Sequence, residues 1–228
     1  MRATFRYCYC RLVVALLVSG VPLVLAFVPT GGASTAYGAD KTVDVRRVND
    51  GDTITLTDGR LVRYIGVDTP EIDYKKRRAE PLAYEARDFN RRLLHGGKVR
   101  LEFDSQTRDR YGRTLAYVFL PDGTFVNAEI LRQGYGFFLP TGKNRRYRKV
   151  LLASQREAMS AGRGIWRNWR EVGKGYIGNR RSMRLHLKSC PRAAGISRSN
   201  RVYFKTSWDA FWKGYAPARG CMKPNRHK

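Results

Sequence analysis

Histidine is nearly missing from this 228-residue chain: His95, His186 and His227 are the only three. His95 sits beside the Gly-Gly that closes a helix-like segment, so acid–base chemistry built on histidine is disfavoured. There is no Walker A sequence, no G-x-S-x-G and no EF-hand loop. Only one long apolar run is present, which excludes a polytopic membrane protein. Acids are scarce, 19 against 44 Lys+Arg, for a formal net charge of +25. That excess is far above what solubility needs. It implies a polyanionic partner: nucleic acid first, an anionic membrane surface or cell-wall polymer second. Apolar residues at 43% and aromatics at 12% suffice for a core and argue against general disorder. The length predicts one or two small domains.

The apolar run follows Arg2, Arg6 and Arg11, spans residues 12–28 without a charge, and leads into small residues. This is the three-part layout of an export signal with cleavage near Ala36 to Ala39, which predicts a periplasmic or secreted protein with no stable membrane partner. The alternative is a retained membrane anchor, although seventeen residues are short for a span and Pro22 interrupts them. Cleavage removes three basic residues, no acid, and Cys8 and Cys10, leaving a charge of +22. Two cysteines then remain, Cys190 and Cys221. An even pair in an exported chain suggests a disulfide before a thiol enzyme.

Beyond the signal (1–39), the pattern divides into a section of alternating strand-like and helix-like segments (40–168), a glycine-punctuated linker (169–175) and a basic C-terminal module (176–228). Strands are predicted at TVDVRRV (42–48), TITL (53–56), RLVRYIGV (60–67), KVRLEF (98–103) and TLAYVFL (114–120). Thr57-Asp58-Gly59 makes a hairpin between the second and third. Helices are predicted where Leu82, Ala86, Phe89 and Leu93 share a face, after Asn127 as an N-cap, and where Tyr147, Val150, Leu151 and Ala158 share a face. Five short strands with about three helices read as an α+β fold: a small five-stranded OB-type β-barrel with helical cover, plus the C-terminal module.

Eight of the 19 acids fall within 34 residues: Asp40, Asp44, Asp50, Asp52, Asp58, Asp68, Glu71 and Asp73. A protein that holds a polyanion gathers carboxylates for a reason, and a hard cation between carboxylates and phosphate is one. Turn chemistry accounts for Asp58 and solvation for Asp40, Asp44 and Asp73. Asp52 begins one strand and Asp68 ends the next, so antiparallel pairing brings both to one edge of the hairpin. There they are oxygen ligands for Ca²⁺ or Mg²⁺, or else ordinary turn carboxylates. Pro70 holds Thr69 extended and frees its carbonyl as a third ligand. Arg63 and Arg113 have the fork geometry that suits phosphate, but by position alone each is one solvated charge among many.

The ordered set NDGDT, Arg63-x₄-DTPE, DRYGR, LAYV and LRQG resembles the staphylococcal nuclease (thermonuclease) family over roughly 43–168. The resemblance implies an OB barrel with three helices and Ca²⁺-dependent phosphodiester hydrolysis of DNA and RNA; the protein is expected to be a monomer. It implies Asp52, Asp68 and the Thr69 carbonyl as calcium ligands, with Asp50 bonding calcium-bound water. Arg63 and Arg113 become phosphate clamps, Glu71 the group that activates water, and Arg110 and Tyr111 contacts to a terminal phosphate. It also implies base-stacking rings in the loop after LRQG, here Tyr135 to Pro140, and a basic loop, YKKRRAE (74–80), beside the site. The rivals are a non-catalytic nucleic-acid-binding barrel, for DNA uptake or surface binding, and an adhesin for cell-wall polymer.

Residues 171–228 carry 14 basic side chains and only Glu171 and Asp209 as acids. His186-x₃-Cys190 and Cys221 resemble the zinc module of alkylation-repair methyltransferases, but Ala218 stands where a further thiolate is needed. The alternatives are a Cys190–Cys221 disulfide and a degenerate Zn²⁺ site at His186, Cys190 and Cys221, with His227 as a further candidate ligand. Tyr176, Tyr203, Phe204, Trp208, Phe211, Trp212 and Tyr215 alternate with cations. Such rings either stack on bases or, as the small size of the module favours, form its core. The charge would add salt-sensitive affinity for DNA whatever its sequence.

Overall fold

The computed structural model describes residues 42–140 and 142–222. The export segment and His227 lie outside the described residues. Strands β1 (Thr42–Val48), β2 (Thr53–Leu56) and β3 (Leu61–Tyr64) form a meander. Short pairs follow, β4 (Val67–Asp68), β5 (Ile72–Asp73) and β6 (Arg78–Ala79), and then helix α1 (Ala83–Leu93). Next come β7 (Lys98–Glu102), β8 (Thr114–Phe119), α2 (Val126–Arg132), β9 (Phe137–Phe138) and α3 (Arg148–Ser160). The chain continues through β10 (Tyr176–Asn179), β11 (Arg184–Leu187), α4 (Pro191–Ala194), β12 (Arg201–Phe204), α5 (Ser207–Trp212) and β13 (Ala216–Pro217).

Five strands close a barrel in the order β1-β2-β3-β8-β7, so the α+β barrel expected from the strand pattern is present. Closure depends on β1, which pairs with β7 through Thr42–Asp44 and with β2 through Val45–Val48, with a bulge between Val45 and Arg47. A bulge bends a strand and lets one strand serve two partners around a tight circumference. Ile54, Leu56, Val62, Tyr64, Val99, Leu115, Tyr117 and Ile130 fill the interior. Among the described residues, no helix is long and apolar enough to cross a membrane.

Asn127 does not cap α2. It lies inside the helix, fully buried, and accepts from the Val118 amide at 2.9 Å while donating to the Ile65 carbonyl at 2.9 Å. Pairing these two buried main-chain groups outweighs the cap rule, because a buried polar group left unpaired costs about 1–3 kcal/mol. Asn90 of α1 ties helix to barrel in the same way, accepting from Tyr64 Oη and donating to the Asp50 carbonyl, both at 3.1 Å.

The C-terminal strands build a second sheet in the order β12-β10-β11-β13. Tyr176, Phe204, Phe211 and Tyr215 are its core, while Tyr203 is exposed, which settles the role of most of the rings. Gln155 of α3, fully buried, accepts from the Phe138 amide at 2.6 Å and donates to the Phe211 carbonyl at 2.7 Å, joining the C-terminal section to the barrel side. Cys190 and Cys221 are joined in a disulfide that closes a 31-residue separation. Cross-links of this span typically contribute about 2–4 kcal/mol by restricting the unfolded chain. Reduction, or replacement of both cysteines by serine, is expected to lower the thermal midpoint by several degrees. An unchanged midpoint in calorimetry would refute that contribution.

Candidate active site

The NDGDT segment turns tightly into β2. Asp50 Oδ1 accepts from the Asp52 amide at 3.0 Å, so Asp50 shapes its own turn. Gly51 is required there, because a Cβ would lie 2.7 Å from Thr69 Cγ2 and 2.8 Å from Ala86 Cβ. The close approach delivers Asp52 to the DTPE segment. Asp52 Oδ1 accepts from Thr53 Oγ1 at 3.0 Å and Oδ2 from the Thr69 amide at 2.8 Å. Asp68 arrives from the other side on β4, held by pairing with Phe137 on β9. Asp52, Asp68 and Thr69 are all buried. The two carboxylates expected to converge do so, and Arg63 bridges them: its Nη1 pairs with Asp52 Oδ2 and its Nη2 lies 3.2 Å from Asp68 Oδ1. Arg63 Nη1 also donates to the Val67 carbonyl at 2.7 Å.

Electrostatics follow from this crowding. Burial first, and the charge of Asp52 next, push the Asp50 carboxyl up to about 8. Burial would raise Asp68 too, but Arg184, Arg219 and Arg63 overcome it and hold Asp68 below the ordinary carboxylate range. Burial raises Glu71 above its usual value against the pull of Arg219. Two buried carboxylates and a main-chain carbonyl at one barrel rim are hard oxygen donors, a set that could hold a hard divalent cation such as Ca²⁺ or Mg²⁺.

Arg63, Asp68, Glu71, Arg110, Tyr111 and Arg113 line one open cleft of about 960 Å³. Asp52 lies behind Arg63, and Asp50 behind Asp52. Arg113 is aimed by Asp109, whose Oδ2 accepts from Nε at 2.7 Å and whose Oδ1 accepts from the Arg113 amide at 3.0 Å. Arg110 lies over the Tyr111 ring, 4.8 Å from its centroid, and donates to its hydroxyl at 2.6 Å. Tyr111 is 68% and Tyr74 60% exposed, so these are the ring faces open to the cleft. The loop after LRQG offers no such platform. Phe137 and Phe138 are buried, and Tyr135 stacks on Phe89 at 4.9 Å. The stretch 74–80 forms part of the β5–β6 hairpin, and its Tyr74 and Lys75 reach the cleft.

His186, Cys190 and Cys221 are not among the residues that line this cleft. Their ligand atoms fall within 4.8 Å of one another, with His186 Nδ1 3.3 Å from Cys221 Sγ. The disulfide commits both sulfurs to each other. Burial, then Arg192 and Arg184, lower the His186 imidazole below its ordinary value.

Sequence reasoning missed two residues at the centre. Arg184 on β11 donates to Asp68 Oδ2 at 2.5 Å, and Arg219, after β13, donates to Asp68 Oδ1 at 2.6 Å and pairs with Glu71 Oε1. They lie 116 and 151 residues from Asp68, and no local motif marks them among the cations of their module.

Comparison with known proteins agrees with the geometry. Residues 61–168 match the family described as Staphylococcal nuclease homologue. The chain is 38% identical over 162 residues to a thermonuclease of Staphylococcus hyicus, an alignment covering 68% of this chain and 94% of that protein. It is 36% identical over 163 residues to a thermonuclease of Staphylococcus intermedius, covering 68% and 95%. It is also 36% identical over 143 residues to endonuclease YncB of Bacillus subtilis (strain 168), covering 60% and 65%.

Proposed function

This chain belongs to the staphylococcal nuclease family and is a phosphodiester-hydrolysing nuclease; from that premise we propose that it is an exported, calcium-dependent enzyme acting on both DNA and RNA. The observation that carries the reading is the convergence of Asp52, Asp68 and the Thr69 main chain on one rim beside Arg63, Arg113 and Glu71. Asp52, Asp68 and the Thr69 carbonyl would hold Ca²⁺, with Asp50 bonding the water around it. A bound divalent ion supplies charge neutralisation at the phosphate and lowers the barrier to attack.

The chain's own groups do the rest. Arg113, aimed by Asp109, presents its remaining guanidinium N–H groups to phosphate oxygens, and Arg63, which lines the cleft between Asp52 and Asp68, adds its charge there. Glu71 at the cleft wall takes the proton from the attacking water. Arg110 and Tyr111 would contact a terminal phosphate, and the exposed rings of Tyr111 and Tyr74 on the same cleft could stack on a base. The wide cleft and charge-based contacts favour no particular sugar. The basic surface of the C-terminal module adds affinity that falls steeply with salt. The pair Cys190–Cys221 is a structural staple in this reading. Zn²⁺ would need both thiolates, and with His186 would have three protein ligands among the described residues.

The test is digestion of plasmid DNA and of a structured RNA by the mature chain, with calcium and with chelator. Cleavage of both in calcium, falling at least about 100-fold with chelator, is expected. Retained binding without cleavage under either condition would favour a non-catalytic binding barrel. Release of residues 1–39 is checked by N-terminal sequencing of the exported protein.

A further inference from the structure

Arg219 approaches the cleft from the C-terminal module, and one guanidinium spans three oxygen groups. Its Nη2 lies 2.6 Å from Asp68 Oδ1 and 3.4 Å from the Thr69 carbonyl oxygen, and its Nη1 pairs with Glu71 Oε1. Two of these groups are assigned above as calcium ligands and the third as the base. An arginine side chain keeps its charge under all working conditions, and its planar fork matches carboxylate oxygens. It is a tethered cation seated on oxygens that a divalent ion would use.

The backbone beneath it is anchored. Arg192 Nη1 donates to the Arg219 carbonyl at 2.8 Å, the Ala218 amide donates to the Leu185 carbonyl at 2.8 Å, and Cys221 is linked to Cys190. The side chain is not enclosed: it is 45% exposed, against 7% for Asp68. It can therefore withdraw without disturbing packing. Arg184 differs, being 24% exposed and also bonded to the Pro217 carbonyl at 2.8 Å, which fits a fixed brace on Asp68 Oδ2.

We propose that Arg219 sets the metal requirement of this enzyme by competing, as an internal cation, for the oxygens of Asp68, Thr69 and Glu71. A divalent ion displaces the guanidinium because it brings twice the charge at shorter range. The module thereby raises the calcium concentration at which the site fills, and it releases Glu71 from its ion pair in the same event. The inference rests on the calcium reading above.

The test is calcium binding to the full mature chain by titration calorimetry, without nucleic acid. Arg219→Ala is expected to bind calcium at least about tenfold more tightly than the unmodified protein. Arg219→Lys, which keeps the charge but loses the fork, is expected to fall between them. Should the alanine variant be unstable, Arg219→Gln keeps the length and polar end of the side chain and must show the same tightening. Equal or weaker calcium binding by the neutral variants overturns the proposal. So does an unchanged calcium affinity with a raised KM for DNA, which would make Arg219 a phosphate clamp. Absence of calcium binding by every protein would instead sink the calcium reading, and this inference with it.

Discussion

Glu71→Gln is expected to leave nucleic-acid binding intact and to lower turnover by about 10²–10⁴-fold, the range over which a positioned base contributes. The substitution keeps shape and hydrogen-bonding length and removes the ability to accept a proton. Glu71 is well placed for that assignment. Its main chain is locked by a two-way pairing with Glu80, the Glu71 amide donating to Glu80 Oε2 and the Glu80 amide to the Glu71 carbonyl, both at 2.9 Å. Its side chain is 42% exposed at the cleft wall, where water reaches it. Burial holds its carboxyl above the usual value, as a proton acceptor should be. The measurement is single-turnover cleavage at saturating DNA, with binding followed separately in chelator. Unchanged turnover would remove Glu71 from the mechanism, whereas loss of binding together with turnover would assign it to holding the site together.

The second large effect concerns stability. Trp166→Ala is expected to cost about 3–5 kcal/mol, in line with truncation of large buried aromatics, and to lower the thermal midpoint by roughly 6–20 °C. Trp166 is 2% exposed and packs against Phe137 at 5.2 Å, Trp169 at 5.6 Å, Phe211 at 5.6 Å and Trp208 at 5.9 Å. That cluster joins the barrel side to the C-terminal sheet. Phe137 also pairs through its main chain with Asp68, so a hole beside Phe137 loosens the strand that carries a proposed metal ligand. Calcium affinity should therefore fall along with stability. Trp166→Phe should be far milder, because the indole N–H is buried with no acceptor and its removal forfeits no hydrogen bond. Thermal unfolding of both variants checks the ranking. A phenylalanine variant as unstable as the alanine one would mean that the indole makes a polar contact which the geometry does not contain.

Much of the barrel was legible because its signals are local. The strand at Thr42–Val48 falls where the alternation of TVDVRRV put it, and the Asp-Gly turn joins β2 to β3 as its backbone demands. NDGDT and DTPE announced a carboxylate edge, but the β2–β3 hairpin sets Asp52 beside Tyr64, and Asp68 reaches that edge on the separate strand β4 through its pairing with β9. Legibility failed where a side chain answers a distant need. Asn127 obeys buried amides from two other elements instead of its own helix terminus. Phe137 and Phe138 look like a base platform in one dimension and are core in three, because α3, α5 and the tryptophan cluster close over them.

The amino-acid order alone determined the barrel type, the acidic rim and the cationic character of the partner-binding surface. Each follows from short-range spacing or from total charge, which do not depend on how the chain closes. Only the tertiary structure decided that Asp68 shares its oxygens with arginines 116 and 151 residues away. Nothing local distinguishes those two from the other cations of the module. A buried carboxylate selects whichever guanidinium the packing of a second sheet brings within reach, and that selection exists only once the two parts have docked.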